Sequence, residues 1–233
     1  MRLAIISDIH SNLEALSAVL EDIDRHSADR IICLGDVVGY GADPSACMAL
    51  LRGRGVDIIM GNHDEAAFSP EKRRYFSENA AFAIRWTAKQ LGEKELDELR
   101  SLPYRISFDG MLFVHSTPRS PERWDYLFSG LEARSQSAAF RERLCFVGHS
   151  HQPAIFSLEP AVQEYSATGR FIINPGSVGQ PRDGDWRASY GLLDTVAATY
   201  DNHRVDYDVA VAARKIVAAG LPRRLAERLL DGR

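Results

Sequence analysis

Four short stretches of the 233-residue sequence combine carboxylates, an amide and imidazoles at close spacing: Asp8-Ile9-His10, Gly35-Asp36, Gly61-Asn62-His63-Asp64 and Gly148-His149-Ser150-His151. His115 stands alone between the last two. Together they hold five of the seven histidines. Taken singly, each stretch has a plainer explanation: a capped helix start, a glycine-aspartate turn, a polar loop. Taken together, five separate segments each deliver Asp, Asn or His, the oxygen and nitrogen donors that borderline divalent cations prefer. With no thiolate among them, the set suits Mn²⁺, Fe, Zn²⁺ or Ni²⁺, with Mn²⁺ placed first, and the imidazoles disfavour Ca²⁺. The ligands divide into two sites. Two cations about 3.5–4 Å apart can polarise a phosphoryl oxygen, hold a bridging hydroxide as nucleophile and steady the departing oxygen, which is hydrolysis of a phosphate ester.

Such a centre needs the segments brought to one place, and the pattern around them says how. Leu3 to Ile6 is a short all-apolar run, that of a strand buried on both faces, and it stops at Ser7-Asp8. After it Leu13, Leu16, Leu20 and Ile23 recur at helical spacing, with Ser11 or Asn12 placed to cap. The unit repeats with a strand over 30–34 and a helix opened by Asp43-Pro44, then with a strand over 57–60. Three β-α units in a row predict a parallel sheet, whose ligands gather at the carboxyl ends of the strands. In extended geometry Asp8 and His10 would project the same way, as would His149 and His151.

One helical stretch is predicted over 78–100, stopped by Pro103. The second half is strand-rich: 104–108 and 111–115 flank the hairpin signature Asp109-Gly110, followed by strands over 144–147, 154–158, 171–173 and 189–194. The tail from about residue 209 reads as one or two helices. His26 and His203 lie in polar runs away from the motifs and are read as solvated.

At these residues the sequence resembles the calcineurin-like metallophosphoesterase superfamily, whose pattern is Asp-x-His, Gly-Asp, Gly-Asn-His-Asp/Glu, a later His and Gly-His-x-His, in that order. Every element is present, from Asp8 to His151. The resemblance implies an α/β fold, a four-layer α-β-β-α sandwich of two facing mixed β-sheets flanked by helices, with residues 1–233 forming one domain. It implies that Asp8, His10 and His151 bind one metal and that Asn62, His115 and His149 bind the other, with Asp36 bridging. His63, the catalytic residue of this pattern, would face the substrate, and Asp64 completes the motif.

Within the superfamily the sequence looks most like the small single-domain bacterial and archaeal phosphodiesterases, with which Asn174-Pro175-Gly176-Ser177 also agrees. Arg119 and Arg182 are candidates for holding phosphate oxygens bidentately, and equally for surface ion pairs. Where the serine/threonine protein phosphatases carry an orienting Asp and a phosphate-gripping Arg, this sequence has Gly39 and Tyr40, which counts against that subclass. Trp86, Trp124 and Trp186 read as core or rim packing. The expected function is metal-dependent hydrolysis of phosphate esters, diesters first. A phosphomonoesterase or protein phosphatase on the same dinuclear site, and a non-catalytic scaffold or binding module of the same fold, are the alternatives.

The totals limit the partners. Twenty-eight Lys and Arg against 32 Asp and Glu give a formal net charge of -4, so no global positive field recruits bulk nucleic acid. The substrate is expected to be a small molecule or nucleotide, and association into an oligomer is left open. Cys33, Cys47 and Cys145 are too few and too irregularly spaced for a disulfide framework. With no membrane-length apolar run, the expected location is the cytoplasm.

Overall fold

The computed structural model describes residues 1–159 and 165–233. Its first half is built as the β-α rhythm predicts: β1 (Arg2–Ile6), α1 (Leu13–Arg25), β2 (Arg30–Cys33), α2 (Pro44–Gly53), β3 (Asp57–Ile58) and α3 (Asn62–Phe68). Strands β1, β2 and β3 pair in parallel. Asn12 is the residue that caps α1, its side chain accepting from the amide of Ala15 at 3.1 Å. Asp43 precedes α2 without capping it through its side chain, because its carboxylate takes the ammonium of Lys215 instead, at 2.9 Å.

Two helices, α4 (Glu78–Gln90) and α5 (Glu93–Arg100), stand where one continuous helix was expected. The chain breaks at Leu91-Gly92, and the carboxylate of Glu95 folds back to accept the Gly92 amide at 2.8 Å, so that Gly92 opens a new helix.

The second half supplies β4 (Arg105–Phe108), β5 (Met111–Val114), α6 (Gly130–Ser135), β6 (Leu144–Phe146), β7 (Ala154–Ser157), β8 (Phe171–Asn174), β9 (Ala188–Asp194), β10 (Thr199–Val205), α7 (Val209–Ala218) and α8 (Arg223–Asp231). Asp109 and Gly110 both take positive φ, 48° and 72°, in the turn that joins β4 to β5. Strand β10 has no counterpart in the sequence reading. Its Asp-Asn-His-Arg stretch lacks alternation, and it is an edge strand held by antiparallel pairing to β9 along its whole length.

Two mixed five-stranded sheets result, ordered β10-β9-β1-β2-β3 and β4-β5-β6-β8-β7. Strand alternation assigns their faces. Leu3, Ile5, Ile32 and Leu34 of the first sheet meet Met111, Phe113, Leu144, Phe146, Phe171 and Ile173 of the second in one buried cluster. The intervening residues point outward: Ala4, Ile6 and Cys33 pack with α1 and α2, and Leu112, Val114, Cys145 and Ile172 pack with Ala133 of α6. This is the four-layer α-β-β-α arrangement. Truncating a ring at its centre, such as Phe146, would cost about 3–5 kcal/mol. A further cluster joins α7 and α8 to α4 and Tyr40.

His26 and His203 are not simply solvated. Both are partly buried and meet edge to face at 4.5 Å beside Asp22, with His203 stacked on Tyr190 at 4.9 Å. The Asp22 carboxylate there already accepts from the Tyr190 hydroxyl at 2.7 Å and from Arg25 at 2.6 Å. No helix of the described residues is long and apolar enough to cross a membrane.

Candidate metal centre

The polar clusters lie at the carboxyl ends of β1, β2, β3, β5 and β6, but the backbone that carries them is not extended. Asp8, His10 and Ser11 have φ of 53°, 51° and 55°, Asp36 has 54°, and His149 and His151 have 67° and 61°. The expectation that each pair projects from one side of an extended segment is therefore corrected. Neighbouring loops impose this left-handed backbone by hydrogen bonding to one another. The amides of Asp8, His10 and Ser11 donate to the carbonyls of Gly35, Asp36 and Val37 at 2.9–3.0 Å. On the other side Val178 and Gly179 donate to Ser7 and Asp8 at 2.9 Å, and the Ser177 hydroxyl donates to the Asp8 carbonyl at 2.8 Å.

So fixed, the donors converge in two groups. One atom each from Asp8, His10, Asp36 and His151 lie within 4.8 Å of one another, as do atoms from Asp36, His115 and His149, with Asp36 common to both. Asn62 joins the second group, its Oδ1 3.1 Å from His115 Nε2. All of these side chains except Asn62 are buried. In each group two imidazole nitrogens face each other, His10 Nε2 and His151 Nε2 at 3.1 Å, His115 Nε2 and His149 Nδ1 at 3.2 Å.

The opposite ring nitrogen of each histidine meets a backbone carbonyl: Val38 for His10, Gln180 for His151, Leu34 for His115 and Trp124 for His149, at 2.6–3.3 Å. A carbonyl can only accept, so that nitrogen carries the proton, and while the rings are neutral the facing nitrogens are paired acceptors that need a proton or a cation between them. Asp8 adds to the imbalance. Its Oδ2 accepts from Ser7 and the His149 amide, while Oδ1 is buried without a partner, 3.3 Å from His151 Nε2. Acceptors about 3 Å apart are spaced as neighbouring ligands on one cation at about 2 Å would be, so the donor set fits divalent metal ions.

The proton affinities describe the same imbalance. Burial works to lower His115, but the Asp36 and Asp8 carboxylates overcome it and raise the imidazole to about 9. Burial pushes Asp8 up to about 6. Asp36 resists its own burial because His115 and His63 hold it well below the usual carboxylate range. Burial keeps His10 and His151 well below the usual imidazole range and His149 at about 3. Proton and metal compete for one set of ligands.

His63 is buried, its ring 4.7 Å from that of His10 and 4.4 Å from that of Tyr40, and its Nδ1 has no partner. Burial holds it at about 4. Its amide donates to Asp36 Oδ1 at 2.8 Å, which fixes the carboxylate shared by both groups. Asp64 belongs to neither donor group and accepts from the amides of Asp36, Val38 and Gly61 at 2.8–3.1 Å, pinning the loop after β2 to the start of α3.

A cleft of about 640 Å³ opens beside the centre, lined by His63, Asn62, His149, Tyr40 and Arg182 among others. Arg182 thus reaches the site, whereas Arg119 does not: it is exposed, and its guanidinium donates to the Ser135 carbonyl at 2.6 Å.

Several residues in or behind the cleft were not singled out for this site from the sequence. Tyr126 stacks on His149 with 4.0 Å between ring centres, and Arg228 comes from α8. Glu65, just past the Gly-Asn-His-Asp motif, is buried and accepts from the Trp124 indole at 3.0 Å, the Tyr104 hydroxyl at 2.9 Å and Lys72 at 3.0 Å. Trp124, expected only to pack, therefore bridges Glu65 to His149. Its φ of 60° marks a constrained turn, but no spacing in the sequence ties it to either partner.

The two facing sheets and the buried carboxylate-imidazole cluster at their strand ends define a metallophosphoesterase. The chain belongs to the calcineurin-like phosphoesterase superfamily, whose family model matches residues 1–198. Protein MJ0912 of Methanocaldococcus jannaschii is 42% identical over 241 residues, covering 99% of this chain and 98% of that one. Among solved structures, a metallophosphoesterase from Sphaerobacter thermophilus is 40% identical with a TM-score of 0.87, over 100% of this chain and 99% of the other. Protein PH1004 of Pyrococcus horikoshii shares the fold, with a TM-score of 0.83 at 20% identity over 100% and 98% of the two chains. Metallophosphoesterase-type hydrolysis of a phosphate ester is the chemistry this family and this cluster support.

Proposed function

We propose that the protein is a phosphodiesterase working with two divalent cations, Mn²⁺ first among them. Asp8, His10 and His151 would hold one, Asn62, His115 and His149 the other, and Asp36 both. The observation that carries this reading is the pair of facing acceptor nitrogens in each group, together with the orphaned Asp8 Oδ1, around one shared carboxylate. When bound, such a pair of cations supplies a polarised phosphoryl oxygen and an activated water for in-line attack.

The remaining work falls to side chains of this chain. In the absence of substrate, burial keeps His63 neutral at pH 7. A phosphate anion arriving beside it favours the imidazolium, so a proton taken up with the substrate can be delivered from His63 to the departing oxygen. Arg182 donates to phosphate oxygens from the neighbouring wall. The volume of the cleft supports a diester, since it leaves room for a second ester arm beyond the reacting phosphorus. We read residues 1–233 as one domain, supported by the cluster that joins α7 and α8 to α4. Three buried free cysteines suit the reducing cytoplasm.

The test is hydrolysis of bis(4-nitrophenyl) phosphate and 4-nitrophenyl phosphate by metal-stripped protein resupplied with Mn²⁺, alongside His63→Ala. Turnover that requires Mn²⁺ and His63 and favours the diester is expected. Preference for the monoester would reassign the substrate class, and silence on both with metal bound would overturn the reading.

A further inference from the structure

Two of the cations that line the cleft are paired, Lys72 with Glu65 at 3.0 Å and Arg123 with Asp125 at 3.6 Å. The guanidinium of Arg182 lines the same cleft with no carboxylate side chain within ion-pair distance among the described residues. Neutral groups hold it instead. Its Nη2 donates to the side-chain oxygen of Gln180 at 3.1 Å and to the Tyr40 hydroxyl at 3.4 Å, and its Nε is buried without a partner.

The backbone beneath is fixed on both sides of the Arg182 side chain. Gln180 gives its amide to the Ser177 hydroxyl at 2.8 Å, and its carbonyl accepts from His151 Nδ1 at 2.6 Å. Arg182 gives its amide to the His151 carbonyl at 3.3 Å, and its own carbonyl accepts from the Gln152 side chain at 3.1 Å. These contacts leave open where the guanidinium points, and Gln180 and Tyr40 set it.

Gln180 does so at a cost to the fold. A guanidinium only donates, so the amide oxygen must face Arg182, and the NH2 is turned elsewhere. That Nε2 is buried with no acceptor, on a residue 1% exposed. A glutamate of the same shape would accept from Arg182 through an ion pair and leave no orphaned donor. It would also neutralise the guanidinium and set a carboxylate against an incoming phosphate. The amide orients Arg182 and leaves its positive charge free for the substrate.

We propose that Gln180 is a positioning residue for phosphate recognition, forming with Tyr40 an uncharged cradle that aims Arg182 before the substrate arrives. This rests on the reading above in which Arg182 donates to phosphate oxygens. A guanidinium already held in one direction has less freedom to lose when phosphate binds.

The test is calorimetric titration of the Mn²⁺-loaded protein with inorganic phosphate, which needs no turnover. Gln180→Glu should bind phosphate at least about ten-fold more weakly than the wild type, the scale of one lost charge-assisted hydrogen bond, while its thermal midpoint stays level or rises. Gln180→Met keeps the length of the side chain and removes the acceptor. It should weaken phosphate about three- to ten-fold with Mn²⁺ affinity unchanged, because His151 is held by the backbone carbonyl. Arg182→Gln should weaken phosphate at least about ten-fold, and adding Gln180→Met to it should cost less than about two-fold more, since Gln180 acts through Arg182.

Wild-type affinity in Gln180→Glu, or a Gln180→Met loss that persists in full once Arg182 is gone, overturns the proposal and leaves the reading of Arg182 in place. Wild-type affinity in Arg182→Gln removes that reading, and the proposal falls with it.

Discussion

A β-carbon at Gly39 would collide with Nδ1 of His63. Gly39 also has φ of 95°, a backbone that side-chain-bearing residues rarely adopt. The loop after β2 thus presses bare backbone against the imidazole, and His63 is positioned by packing, with Tyr40, His10 and Phe76 around it at 4.4–4.7 Å. Gly39→Ala should displace His63 while leaving the metal-binding groups in place. Turnover is expected to fall at least about ten-fold with metal content unchanged, read by elemental analysis beside an initial-rate assay.

His63→Ala separates chemistry from binding. With the imidazole gone, both metals should remain and turnover should drop by about 10²- to 10⁴-fold, the usual range for a lost proton-transfer group. Turnover within a few-fold of wild type would remove the assigned role.

Asp36 is the side chain common to the two donor groups, so Asp36→Asn should weaken both metals together. Asp8→Asn should weaken chiefly the one shared with His10 and His151. Titration of metal-free protein with Mn²⁺ would give two weakened sites for the first variant and one for the second.

Lowering the pH should penalise the metal-free fold through His63. The native imidazole binds a proton only near pH 4, whereas in the unfolded chain it does so from about 6.5. Between those values the unfolded state holds the extra proton, so stability falls as pH falls, by about 3 kcal/mol once pH 4 is reached. Asp8, raised to about 6, works in the opposite direction, so the comparison must isolate one group. Urea midpoints of the metal-free wild type measured relative to His63→Ala should decline from pH 6.5 to pH 4; a constant difference would contradict the assignment.

Glu65→Ala leaves the Trp124 indole, the Tyr104 hydroxyl and Lys72 without their common acceptor. A loss of about 2–4 kcal/mol in thermal or chemical unfolding is expected. Because the Trp124 carbonyl holds His149, Mn²⁺ affinity at the His115-His149 group should fall with it.

The donors were readable because each motif is local: a strand stops, and the next two to four residues carry the ligands. Their geometry was not readable. Asp8 and His10 look extended in isolation and become left-handed because Gly35, Asp36 and Val37, far along the chain, hydrogen-bond to that loop. Strand β10 escaped notice for a related reason, its polar Asp201-Asn202-His203-Arg204 run being ordered by its partner β9 and not by its own alternation. Arg119 and Arg182 looked equivalent as sequence. Only Arg182, hydrogen-bonded to Gln180 and Tyr40, is turned into the cleft. Glu65, Tyr126 and Arg228 come from unrelated segments, and no spacing rule links them.

The clasp of Val178 and Gly179 on Ser7 and Asp8 sets a timetable for the newborn chain. Ser177, whose hydroxyl also closes on Asp8, is made 169 residues after it. At ordinary ribosomal speeds that is a wait of roughly ten to thirty seconds. During that wait the emerging polypeptide owns Asp8 and His10 but neither the clasp that sets the carboxylate nor, until late, the imidazole of His151 that shares its load. Cation loading is therefore an act of the nearly finished molecule, and a chain cut short before this segment should leave the ribosome without a competent centre.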